Sequence, residues 1–206
     1  MRAGILSALF SSPAPMSPSP TSPVSIRAIT EADIPAIQRI YAHHVAHGIA
    51  TFEMTAPSQE EMLSRYRRIH AEGMPYLAAY GGEGQLLGYC YASTYRPRPA
   101  YRFTVEDSIY LSPDHQGRGV GRQLLQALIS HCEAGPWRQM VAVISGEGSE
   151  ASVALHEKLG FVHSGNLRTV GFKHGRWIDT ILMQRALGPG CNTPPSSHHP
   201  ATLASN

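Results

Sequence analysis

Residues 106–121 read Glu-Asp-Ser-Ile-Tyr-Leu-Ser-Pro-Asp-His-Gln-Gly-Arg-Gly-Val-Gly and run directly into an apolar, helix-like segment over residues 122–132. Ser108, Ile109, Tyr110 and Leu111 form a short β-type run, Pro113 breaks it, and a glycine-rich turn then leads into a helix start. That order builds a cradle for an anion. Gly117, Gly119 and Gly121 allow tight backbone curvature, while the first N–H groups of the helix lack an intrahelical acceptor and, with the helix dipole, favour a phosphate or pyrophosphate. A glycine-rich turn alone suits several phosphate ligands, so the rest of the chain has to choose among them.

At 206 residues the chain is long enough for one sizeable core and short for two. A net charge of +2 with 16% charged residues leaves no basic tract, which argues against a nucleic-acid partner. Lys158 and Lys173 are the only lysines, so cationic sites are mostly arginine, suited to forked recognition of oxyanions. Cys90, Cys132 and Cys191 are odd in number and lack metal or redox spacing, which favours free thiols in a cytoplasmic setting. No apolar run approaches a bilayer-spanning length, and no metal site is expected. Residues 1–23 are Pro/Ser-rich and are expected to be a disordered leader rather than a targeting peptide; residues 188–206 are expected to be a disordered tail, with His198 and His199 solvated in it.

Between these ends, residues 24–187 alternate strand-like and helix-like segments as one domain. A strand at 25–28 precedes a helix opened by Thr30, with Asp33 three residues on, Pro35 in the first turn and Gly48 as its stop. Residues 51–53 look extended; Ser58 and Glu61 cap a second helix. Residues 76–80 and 86–95 flank a Gly-Gly-Glu-Gly turn as a hairpin, and strands are expected at 140–144, 161–170 and 177–183, with helices at 120–133 and 150–159. The layout is α/β (α+β), built on a mostly antiparallel sheet with helices covering it.

The motifs resemble a known family. Gln-Gly-Arg-Gly-Val-Gly at 116–121 is similar to the (Q/R)-x-x-G-x-(G/A) pyrophosphate loop of the GNAT superfamily of N-acetyltransferases, and A-S-V-A-L-H-E-K-L-G-F at 151–161 resembles that superfamily's fourth helix and following strand. T-V-E-D-S-I-Y at 104–110, V-A-V-I at 141–144 and V-G-F-K-H-G-R-W-I-D-T at 170–180 resemble phosphinothricin and methionine sulfoximine N-acetyltransferases. The resemblance implies a mixed, mostly antiparallel sheet of about seven strands flanked by about four helices, with acetyl-CoA as cosubstrate. Ser108, Ile109, Tyr110 and Leu111 would pair with the pantetheine arm, and Gln116, Gly117, Arg118, Gly119, Val120 and Gly121 would offer backbone donors to the pyrophosphate, with Arg118 and Arg122 near its charges. A nucleotide P-loop is set aside because no Gly-Lys-Ser/Thr follows. The family usually places an asparagine three residues before Ser152 to contact the cofactor; here Ser149 stands there, expected to cap the helix but without an amide's reach.

The implied chemistry is attack of a neutral amine on a thioester, which needs a group to accept the ammonium proton. Glu106 matches the family's catalytic carboxylate; Asp107, one residue on, should face the other side of the sheet as a solvated or helix-pairing acid. His156 stands where many members carry a tyrosine, either donating a proton to the departing thiolate or serving as a buried, hydrogen-bonded histidine. A backbone N–H near residues 108–110 would hold the oxyanion. Arg96 and Arg98 suit the acceptor's carboxylate or a phosphinate, sulfone or sulfoximine oxygen, and Phe52, Tyr101, Thr104 and Val105 wall the acceptor pocket. The family's dimers imply a homodimer in which residues 170–173 reach a neighbouring subunit's site. The expected acceptor is a small-molecule amine of the phosphinothricin, methionine sulfoximine or methionine sulfone type; a peptide N-terminal acetyltransferase and a non-catalytic acetyl-CoA-binding module stay open as alternatives.

Overall fold

The computed structural model describes residues 24–195, beginning at strand β1 (Ser25–Ala28). Asp33 Oδ2 accepts from Thr30 N at 2.7 Å, while Arg27 forks onto the same carboxylate at 3.0 Å. This box opens first a 3₁₀ turn (Glu31–Asp33) and then α1 (Ile34–His47). α1 buries Ile34, Ile37, Ile40, Tyr41 and Val45, the positions that helical spacing places on one face. α2 (Gln59–Ala71) starts where Ser58 Oγ accepts from Glu61 N at 3.1 Å. The stretch at residues 51–53, expected to be extended, instead lies in an irregular connection: its groups bond to side chains of Tyr41, Arg65 and Lys173 rather than to a strand.

The chain continues through β2 (Tyr76–Tyr80), β3 (Leu86–Thr94), β4 (Thr104–Leu111), α3 (Val120–Glu133), β5 (Gln139–Ser145), α4 (Glu150–Lys158), β6 (Val162–Lys173) and β7 (Arg176–Ala186). The seven strands form one sheet in the order β1-β2-β3-β4-β5-β7-β6. Every pairing is antiparallel except β4 with β5. The sheet is thus mixed and mostly antiparallel, with four α-helices among the described residues, as expected.

α1 and α2 cover one face and α3 and α4 the other. Tyr110 of β4 meets Tyr41 of α1 edge-on at 5.1 Å between ring centroids, whereas Cys90 of β3 donates to Leu124 O of α3. α3 supplies the densest part of the core through Leu124, Leu125, Leu128, Ile129 and Cys132, all essentially inaccessible to solvent. Cys90, Cys132 and Cys191 are free thiols, the first two buried. No helix among the described residues is long and apolar enough to cross a membrane.

The C-terminal boundary differs from expectation. Leu187 is buried, and the residues after it turn back: Arg138 donates to Gly190 O, to Thr193 Oγ1 at 3.2 Å and to Pro194 O at 3.2 Å. One guanidinium collects these acceptors and fixes residues 188–195, which composition alone assigned to a tail. The leader at 1–23, and the tail from 196 with His198 and His199, lie outside the described residues.

Leu125, 0% exposed between α3 and the sheet, tests the core: Leu125→Ala is expected to cost about 2–5 kcal/mol of stability, read from urea unfolding midpoints with an unchanged slope.

Candidate active site

β4 and β5 pair from Thr104↔Gln139 to Asp107↔Ala142 and then stop, although β4 continues to Leu111 and β5 to Ser145. β3 stays with β4 as far as Leu111 and β7 stays with β5 as far as Ser145, so the sheet opens as a wedge between its two central strands. A cavity of about 280 Å³ occupies the wedge. Glu106, Asp107, Ser108, Ile109 and Tyr110 form one wall, and Ala142, Val143, Ile144 and Ser145 another. Ile49, Ala50, Thr51 and Phe52 from the α1–α2 connection close a third side, with Ser149, Ser152 and His156 of the α4 region and Thr180 of β7 completing the lining.

At the end of β4, His44 Nε2 lies 2.8 Å from Leu111 O, and a carbonyl only accepts, so this nitrogen carries a proton. The chain then turns through Gly117 (φ 71°) and Gly119 (φ 79°), left-handed conformations that favour glycine, and enters α3 at Val120. The backbone N–H groups of residues 117–122 have no protein acceptor among the described residues. Converging donors at the start of a 14-residue helix suit an anionic group. The side chain of Val120 is buried, so its offer is its amide; Arg118 and Arg122 are exposed and form no ion pair among the described residues. The free strand edge, the wedge and this turn together fit a thioester ligand with an extended amide-bearing arm and a pyrophosphate.

Glu106 and Asp107 point to opposite faces of β4. Glu106 is half-buried, and burial, followed by the charge of Asp107, raises its carboxyl to about 7 against the opposing pull of Arg96. Asp107 lies on the α3–α4 side, as alternation predicts, but it is the helix-pairing acid and not a solvated one: its Oδ2 sits 3.0 Å from His156 Nε2, and both side chains are 2% exposed. His156 Nδ1 lies 2.7 Å from Ser152 O and therefore carries a proton, so both ring nitrogens are engaged. Burial alone would lower the His156 pKa, but the hydrogen bond and charge of Asp107 outweigh it and raise the value above 6.5.

Sequence expectations change at several residues. Ser149 does not cap α4 with its side chain; its hydroxyl donates to Gly146 O, and only its carbonyl joins the helix, accepting from Val153 N at 3.0 Å. Val105 is 0% exposed on the α3 face and cannot wall an acceptor pocket. Gly171 and Lys173 meet the α1–α2 connection of their own chain, where Lys173 Nζ donates to Thr51 O at 2.7 Å. Phe52 lines the cavity; Arg98, Tyr101 and Thr104 do not, although the β3–β4 connection that carries Arg98 and Tyr101 also brings Arg96 within electrostatic range of Glu106. The Asp107–His156 pair was detectable in principle: an acid alternating with Val105 and Ile109 on an apolar strand face requires a partner.

Residues 26–182 match the family profile described as Acetyltransferase (GNAT) domain. The chain belongs to the GNAT acetyltransferase family. It is accordingly an acyltransferase that takes its acyl group from acetyl-CoA. It is 53% identical over 171 residues to a phosphinothricin N-acetyltransferase of Alcaligenes faecalis, covering 83% of this chain and 86% of that protein. It is 39% identical to an L-methionine sulfoximine/L-methionine sulfone acetyltransferase of Pseudomonas paraeruginosa, covering 82% of this chain and 98% of that one. A crystal structure of a GNAT superfamily phosphinothricin acetyltransferase from Sinorhizobium meliloti in complex with AcCoA superposes with a TM-score of 0.85 at 47% identity, covering 89% of this chain and 99% of that one.

Within this GNAT fold the buried Asp107–His156 pair gives a pH-dependent contribution to stability. Because the folded pKa of His156 is raised, that contribution is fully present below its ordinary value of 6.5 and is lost as pH rises through the folded value. Asp107→Ala is expected to cost about 3–5 kcal/mol near pH 5.5 and distinctly less near pH 9, measured by urea unfolding of both proteins at each pH.

Proposed function

We propose that the protein acetylates the α-amine of a small amino-acid-like acceptor of the phosphinothricin, methionine sulfoximine or methionine sulfone type, with Glu106 as general base. The observation that carries this reading is a carboxyl group at the head of the wedge with its pKa raised to about 7, where a base can both accept and release a proton near neutrality. The amine arrives as ammonium, and Glu106 takes its proton directly or through one water. The nitrogen then forms its bond to the acyl carbon, the carbon–sulfur bond breaks to release CoA as a thiolate, and that thiolate takes the second proton from the new amide nitrogen, while N–H groups on the unpaired edge of β4 offset the charge that develops on the acyl oxygen. Arg96 supplies a cation for the acceptor's carboxylate or its sulfoximine, sulfone or phosphinate oxygen. His156, held at both nitrogens, serves in this reading to fix Asp107, whose charge helps raise the Glu106 carboxyl. The relatives support the acceptor class through the substrates in their names.

Purified protein with acetyl-CoA and each of the three acceptors is expected to release thiol with at least one of them; silence with all three would remove the acceptor assignment. The rate is expected to rise with pH through an inflection near 7 as Glu106 loses its proton. Glu106→Gln should lower kcat/KM by about 10²–10⁴-fold and abolish that inflection.

We also infer a homodimer. Val162, Leu167, Val170, Phe172 and Trp177 are 46–65% exposed on the β6–β7 hairpin, whose β6 is a sheet edge. An edge strand with this much outward apolar surface is a natural pairing face for a second copy. Light scattering coupled to size exclusion should give twice the 22.4 kDa chain mass, and Phe172→Glu with Trp177→Glu should give the monomer.

A further inference from the structure

The wall of the wedge formed by Ile49, Ala50, Thr51 and Phe52 has no regular secondary structure of its own. Its position must therefore come from outside, and the tip of the β6–β7 hairpin holds it at three points. Lys173 Nζ donates to Thr51 O at 2.7 Å, the His174 ring donates to Gly48 O at 3.2 Å, and the Phe52 ring lies on the bare backbone of Gly171. A Cβ at Gly171 would fall 2.6 Å from Phe52 Cζ and 2.8 Å from Cδ2, closer than carbon atoms pack.

Lys173 is 1% exposed, and an ammonium group placed there loses its hydration for one carbonyl partner, with Glu53 as the carboxylate that offsets the loss. The hairpin is also shaped for this contact. The β6–β7 register shifts between Leu167 and Gly171, and Thr169 takes a left-handed φ of 51°, unusual for a β-branched residue, with its N–H held by Asp179 Oδ1 at 2.8 Å. Beyond this bulge Gly171 and Lys173 face the α1–α2 connection while Val170 and Phe172 face outward.

We propose that Gly171 and Lys173 are positioning residues that hold the Thr51–Phe52 wall, so that the Phe52 ring sets the width of the acceptor side of the cleft. This rests on reading the wedge as the acyl-transfer site. Phe52 is 40% exposed, which leaves room on its solvent side, so a side chain at position 171 displaces the ring rather than unfolding the domain. Neither Gly171 nor Phe52 belongs to the main core cluster. Placed on the acceptor side, the apolar ring carries no proton, so its displacement acts on acceptor binding and leaves the chemical step alone.

Gly171→Ala is expected to raise the acceptor KM by roughly tenfold or more with kcat and the acetyl-CoA KM within about threefold. Phe52→Ala is expected to raise the acceptor KM as well, and adding Gly171→Ala to it should change nothing further, because the ring through which position 171 acts is gone. An unchanged KM for Gly171→Ala, or additive effects in the double variant, overturns the proposal for Gly171. Lys173→Met is tested by hydrogen exchange without any substrate: the amides of residues 48–53 should exchange faster while those of β4 and α3 do not, with the melting temperature as a control for global unfolding. Unchanged exchange in that loop overturns the proposal for Lys173. If wild-type protein acetylates none of the three acceptors, the acceptor reading fails by itself, and exchange in the loop for both Lys173→Met and Gly171→Ala still decides whether the hairpin holds it.

Discussion

Parallel pairing between β4 and β5 lasts from Thr104↔Gln139 to Asp107↔Ala142, and the backbone groups freed beyond that point shape the rest of the molecule. Unpaired strand edges inside a sheet are costly unless something bonds to them or water reaches them. Here the outer neighbours do not follow the split: β3 stays on β4 and β7 on β5, so each half of the sheet keeps its ladder while the gap opens between them. The glycine turn and α3 start directly after the free half of β4, which sets a row of N–H groups at one end of the wedge and Glu106 at the other. A ligand that spans the two must be long, carry groups that bond to a strand edge, and end in an anion.

Glu106 and Asp107 show how strand alternation gives adjacent carboxyl groups different chemistry. On the α3–α4 face Asp107 finds His156, and the imidazole is in turn tied to Ser152 O, so the acid is bound and out of solvent. On the other face Glu106 has no such partner among the described residues; burial acts first, the charge of Asp107 adds to it, and Arg96 only partly compensates. Two acids one residue apart thus divide into a buried group hydrogen-bonded to an imidazole and a group whose carboxyl is raised to about 7, the separation of environments that acid–base sites use. The charge of Asp107 also reaches the Cys90 and Cys132 thiols, whose pKa values burial first and then this charge push upward.

Features carried by local chemistry were legible in the sequence. The Thr30–Asp33 and Ser58–Glu61 caps, the Gly48 stop and the turn around Gly117 and Gly119 stand where turn and capping rules put them. The parity of Glu106 and Asp107 followed from the period of a strand. What escaped depends on residues distant in the chain. Arg138 reaches more than fifty positions on to fix residues 188–195, and Lys173 reaches across 122 to Thr51. Neither is visible as a pattern, because each contact exists only once the sheet order has brought β5 or β6 beside a segment that sequence leaves irregular. Val105 is a different kind of miss: the alternation that puts Asp107 on the α3–α4 side puts Val105 there too, in the core, and was readable from the sequence.

The hairpin also explains why an irregular wall can be dependable. Side chains on β6 alternate between the sheet's two sides, so a slip of one residue would turn Lys173 outward and bring Val170 and Phe172 onto Phe52. Such a slip is a realistic hazard for an edge strand paired on one side only. The bulge opposes it: Thr169 in a left-handed conformation has its N–H bonded to Asp179 Oδ1 of β7, which ties β6 to this register. Asp179 is itself packed against Gly146, where its Cβ lies 3.0 Å from the position a side chain would take, so the anchor is tied to the turn between β5 and α4. The register of an outer strand, the pose of the Phe52 wall and the turn that leads into the His156 helix are therefore linked by one connected group of residues, through the Asp179 carboxylate on Thr169 N–H, the Lys173 ammonium on Thr51 O and the Phe52 ring on Gly171.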